Sequence, residues 1–82
     1  MDISVDETTH DTILNLVRNY KEIKNVESLY STPSGYKYII ILTISVDGNM
    51  STFDSHKLAD SLEKDIKKLD NVSNAIIHVN PV

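Results

Sequence analysis

The stretch STFDSHKLADSLEKDIKKLDNVSNAIIHVNP, residues 51–81, decides how this chain folds. Leu58, Ala59, Leu62, Ile66 and Leu69 recur at helical steps and predict the buried stripe of a helix. Ser51 or Thr52 can cap its start, and the acid-to-lysine steps Asp60 to Lys64 and Glu63 to Lys67 support its solvent side. DNVSN (70–74) breaks the helix, and AIIHVNP (75–81) reads as a strand closed by Pro81. Upstream lies YKYIIILTISV (36–46), in which Tyr36, Tyr38, Ile40, Leu42, Ile44 and Val46 share one face of an extended chain. DGNM (47–50) is the loop between this strand and the helix. Strand, helix and strand in this order form a crossover, so the two strands are parallel and the connection right-handed.

Further upstream, VESLYSTPSG (26–35) alternates with period two and ends in Pro33, Ser34 and Gly35, a turn signal that makes it the antiparallel partner of the central strand. Before it, VDETTHDTILNLVRNYKEIKNV (5–26) begins with good capping residues and spaces Ile13, Leu16, Val17, Tyr20 and Ile23 helically, predicting a helix over 7–21. The expected fold class is α+β: a ferredoxin-like, open-faced α-β-β-α-β arrangement with two helices on one face of a three-stranded mixed sheet. One domain spans 1–82, with residues 1–6 reading as the end of a linker.

Composition narrows the function. At 82 residues the chain buries only a little over ~60% of its unfolded surface, a thin margin that a partner would widen. Its longest apolar run, YIIILTI, is strand length and far short of the ~18 residues that cross a bilayer. A net charge of −4, one arginine (Arg18) and scattered lysines offer no field for phosphates, so nucleic acid is not an expected partner. The absence of cysteine removes disulfides, thiolate metal sites and cysteine catalysis. MDISVDETTHD (1–11) is acidic and is no signal peptide; its Asp2, Asp6, Glu7 and Asp11 suit a helix N-terminus without any catalytic role.

With Tyr38, Ile40, Leu42 and Ile44 turned to the helices, Leu29, Ile39, Ile41 and Ile76 are expected on the other face. Four aliphatics on an open face predict self-association, as a two-fold homodimer, because burying each is worth roughly 1.5–3 kcal/mol. The crossover delivers His56, one turn into the second helix, and His78, near the end of the last strand, to one end of the domain. Alternation then sets Glu27, Thr43, His78 and Asn80 on the open face beside the apolar residues. Imidazole and carboxylate together suit zinc, and also manganese, iron or cobalt. His10 reads as solvated, and the tyrosines as core and rim.

SHKLADSLEKDIKKL (55–69) followed by VSNAIIHVNP (72–81) resembles the C-terminal cytoplasmic domain of cation diffusion facilitator transporters. There a helix that begins with an alanine- or serine-histidine pair precedes a strand ending in Ile-His-Val-x-Pro. The likeness extends back through TPSGYKYIIILTISVDG (32–48), covers nearly the whole chain, and includes MDISVDE as the stretch that follows the last membrane helix. It implies a piece of an antiporter that exports divalent cations against protons at the cell membrane, with a V-shaped dimer of cytoplasmic domains that bind metal near their interface. His56 and His78 match the family's metal-binding histidines. Glu27 falls where some members carry histidine or another ligand. Thr43 and Asn80 stand where certain zinc transporters have histidine and aspartate, which implies a site that is weaker, differently selective or vacant.

Two other classes bear comparison. A stand-alone metal chaperone or ligand-binding module of this shape is one, although the Cys-x-x-Cys loop of copper chaperones is absent. A small acylphosphatase is the other; it needs an arginine in a phosphate-cradling loop, and Arg18 sits within the first predicted helix. The expected role is therefore regulatory rather than enzymatic, with no small-molecule substrate and the membrane domain of the same polypeptide as a partner.

Overall fold

A computed structural model of the chain describes residues 7–82. The element order is α1 (Glu7–Arg18), β1 (Ile23–Ser34), β2 (Lys37–Val46), α2 (Thr52–Lys67) and β3 (Val72–Pro81). β2 is central, antiparallel to β1 and parallel to β3, in the sheet order β1-β2-β3. Both helices cover one face, as expected for a ferredoxin-like α+β domain lacking a strand. The linker assigned to residues 1–6, with Asp2 and Asp6, lies outside the described residues.

One continuous core holds the layers together. Ile13 and Val17 of α1 and Leu58, Leu62 and Ile66 of α2 meet Ile40, Leu42, Ile44 and Val46 of β2, with Val72 and Ala75 of β3 completing it. Every second residue of β2 is buried, because that strand has a neighbour on each side and helices over one face. Ser51 caps α2, its Oγ accepting from the Asp54 backbone N–H at 3.0 Å. Of the two acid-to-lysine steps, Glu63 and Lys67 form an ion pair at 3.4 Å. Asp60 and Lys64 form none among the described residues.

The boundaries differ from the sequence reading in two places. α1 stops at Arg18, three residues short of the predicted end. Tyr20 leaves the helix to donate its hydroxyl to Asp65 Oδ2 at 2.6 Å, anchoring the α1–β1 loop on α2. Removal from water, then that hydrogen bond and the nearby Asp65 and Glu22 charges, push the phenol up to about 12. The hairpin is also tighter than expected. Pro33 and Ser34 remain in β1, paired with Tyr38 and Lys37, and the chain reverses over Gly35 and Tyr36 alone. Tyr36 is therefore a fully exposed turn residue and not a core-facing one.

Gly35 takes φ +64° with open space around it, so only backbone geometry demands glycine there. Gly35→Ala is expected to lower unfolding free energy by about 1–2 kcal/mol, the cost of placing a Cβ in the left-handed region. The expected reading is a lower urea midpoint at unchanged slope; a midpoint within error of wild type would refute it.

Candidate metal site and dimerisation face

The sheet face turned away from the helices is laid out in rows. Thr32, Ile39 and Asn74 are in register, then Tyr30, Ile41 and Ile76, then Ser28, Thr43 and His78, then Asn25, Ser45 and Asn80. The first two rows are largely apolar, with Tyr30 61% and Ile76 43% exposed. The last two are polar, and Ser45, flanked by both asparagines, is buried. The face thus changes character midway along the strands, from apolar near the hairpin to hydrogen-bonding at the opposite end.

Leu29 does not belong to this face. It pairs with Leu42 and packs against the core, and Tyr30 takes the position expected of it. The cause is a pair of register shifts in β1, between Ile23 and Asn25 and between Val26 and Ser28, each inserting one residue opposite the regular β2. The second inserted residue is Glu27. After it the alternation resumes out of step, so Leu29 faces inward while Glu27 still projects outward.

Glu27 is held there by Asn80, whose Nδ2 donates to both carboxylate oxygens at 3.1 Å. Thr43 and His78 are directly paired across β2 and β3, two residues along from the Ser45–Asn80 pair. The fold therefore brings Glu27, Thr43, His78 and Asn80 to one end of one face, with His78, Glu27 and Asn80 exposed. His56 is exposed at the same end of the molecule but in the helix layer: Ser55 beside it lines a hollow with Val46, Val79 and Pro81, on the other side of the sheet. His10, partly buried, lies in the first turns of α1.

Chemically, the open face offers one imidazole, one carboxylate, one amide and one hydroxyl. Among the described residues no three His, Cys, Asp or Glu side chains stand together around a point where an ion could sit. A tetrahedral zinc centre takes four strong N, S or O donors, so one chain supplies about half a set. Asn80 now presents its NH2 to Glu27; for the amide oxygen to face a cation, the group must turn over. The arrangement fits a divalent ion best if further donors come from a second copy facing the first. Ser28 and Tyr30 join the face without having been foreseen, since a bulge without glycine leaves no trace in the alternation; Ser45 follows from the regular alternation of β2 beyond Thr43.

Comparison with known proteins places this geometry. The family model "cation efflux protein, cytoplasmic domain" matches residues 5–82. The solved metal-bound C-terminal domain of the CzcD transporter from Thermotoga maritima superposes with a TM-score of 0.86 at 30% identity, covering 94% of each chain. Among curated proteins, the cation-efflux pump FieF of Pectobacterium atrosepticum is 27% identical over 82 residues, and protein p34 of Rickettsia rickettsii is 27% identical over 81. The chain spans 27% of the length of each of these two.

Proposed function

This chain belongs to the family of cation efflux protein cytoplasmic domains, and on that footing we propose that it is the dimerising, metal-sensing part of a divalent-cation transporter. In the full-length protein a membrane domain would exchange the cation for protons, and the domain described here would report cytoplasmic metal to it. The observation that carries the reading is the divided open face: an apolar half with Tyr30, Ile39, Ile41 and Ile76, and beside it the half set of donors Glu27, Thr43, His78 and Asn80. An exposed apolar patch on a chain this small is stabilised by a partner, and an incomplete donor set is completed by one.

Two copies packed through the apolar rows bring their polar ends into proximity, where His78 and Glu27 of each can share an ion such as zinc, with His56 reaching over from the helix layer. Manganese, iron and cobalt accept the same donors. Metal acts by population shift: an ion that binds the closed pair more tightly than the splayed pair favours closure by the ratio of the two affinities, and by no other means.

Small-angle scattering and sedimentation of the 82-residue chain, with zinc and with chelator, test this directly. The expected result is a dimer whose radius of gyration shrinks as zinc saturates it. A monomer at every concentration would defeat the dimer; a dimer of unchanged dimensions at saturating metal would defeat the sensing.

A further inference from the structure

Outside the sheet face, the turn after α1 carries a feature that the sequence concealed. Arg18, Lys21 and Lys24 look scattered in the chain, yet all three line a single hollow of about 370 Å³, floored by Val17, Ile23 and Val26. The hollow forms because α1 ends at Arg18, the loop turns on the Tyr20 anchor, and the first β1 bulge falls at Lys24. The three side chains are exposed, and none has an ion pair among the described residues. Arg18 spends one N–H on Asn15 Oδ1 at 2.9 Å and keeps the rest of its donors. Glu22, the one acid of the 18–24 stretch, lines the neighbouring hollow with Asp54 and Lys57.

A second group of cations shows how different this is. At the end of α2, Lys67 pairs with Glu63 and Lys68 with Asp65, so its charge is offset locally. In a chain of net charge −4, three positive charges around one concavity, none in an ion pair among the described residues, are a concentrated exception. The nearest acids are the Asp65 and Glu22 carboxylates, which face Tyr20 at its side. The nearby α1 C-terminus carries the negative end of its dipole, which suits Arg18 in its last turn and opposes an anion, so the three cations together must outweigh it.

We propose that this hollow binds a small phosphate-bearing anion, with Arg18 donating two parallel hydrogen bonds to phosphate oxygens and Lys21 and Lys24 closing on it as point charges. The volume lies at the low end of the roughly 300–1,000 Å³ of small-molecule sites. It admits a diphosphate or a phosphate ester, whose carbon portion would lie on the Val17, Ile23 and Val26 floor. A soluble phosphate compound and a lipid headgroup share this chemistry.

Pyrophosphate is the probe for the first source and phosphatidylcholine vesicles containing phosphatidic acid for the second, both with chelator present so that the metal site stays out of the measurement. Calorimetry and amide chemical shifts of the 82-residue chain are expected to show one saturable site in at least one arm, with shifts confined to residues 17–26. The R18Q/K21Q/K24Q variant should weaken it at least about tenfold, as loss of charge-assisted hydrogen bonds does. The charge-matched K37Q/K64Q/K67Q variant, whose three exposed lysines line neither this hollow nor the Tyr20–Asp65 contact, should change it little, and all three substituted residues of the first variant lie outside the core. The arm that saturates identifies the source. Failure to saturate in both arms, shifts mapping elsewhere, or equal weakening in the charge-matched variant would each overturn the proposal.

Discussion

Leu62→Ala is expected to leave the isolated chain largely unfolded at 37 °C. Leu62 is fully buried within the core cluster that joins both helices to the sheet. Truncations of this kind cost about 2–5 kcal/mol, part lost transfer energy and part cavity. Domains hold about 5–15 kcal/mol in total, and one of this size stands near the lower limit. Urea unfolding followed by circular dichroism should show the midpoint collapsing, and thermal melting should lose its cooperative step. Binding to the folded state alone gives the result a second edge. A ligand at a hundred times its dissociation constant adds about 2.7 kcal/mol, so saturating zinc should restore much of the variant's structure if the metal site is real. Ile76→Ala, by contrast, removes a side chain already 43% exposed and should barely move the monomer's stability. Equal losses for the two variants at a concentration where the chain is monomeric would show that the core has been placed wrongly.

The second large effect concerns the metal. His78→Ala is expected to reduce zinc affinity at least about a hundredfold, beyond the ten- to hundredfold that losing a mere supporting group costs. His78 is the one imidazole on the open face, paired with Thr43 and exposed, so its removal leaves only oxygen donors on that face, with His56 of the helix layer as the remaining imidazole, and disturbs no packing. Asn80→Asp should move affinity the other way. It replaces the amide that bridges both Glu27 oxygens with a second carboxylate. Two carboxylates this close repel until a cation lies between them, so the variant should be less stable with chelator and bind zinc more tightly. Calorimetric titration of wild type and both variants decides the matter. Full affinity in His78→Ala would remove that residue from the site.

Much of the architecture was readable because it rests on periodicity. The stripe Leu58, Leu62, Ile66 and the alternation Ile40, Leu42, Ile44, Val46 are repeated many times over, so one exceptional residue does not disturb the reading. The same redundancy made the topology accessible: a strand, a helix and a strand in that order leave a single parallel arrangement, which brings Thr43 and His78 to one edge, where the structure pairs them. Element ends were less legible. The helix pattern of Ile13, Leu16, Val17 and Tyr20 runs on past Arg18, and it is a contact 45 residues away, Tyr20 to Asp65, that stops it.

What the chain determined by itself is the order of its elements, most of its core and the end of the domain at which His56 and His78 fall. Those follow from repeating local patterns and from the short reach of connecting loops. Tertiary structure alone decided that Leu29 turns inward while Glu27 turns outward, that Asn80 spans the Glu27 carboxylate, and that Arg18, Lys21 and Lys24 gather around one hollow. Each depends on where an extra residue is absorbed in β1. Such a bulge is chosen by how the strand fits against the regular β2 beside it, an energy that exists only when both strands are present.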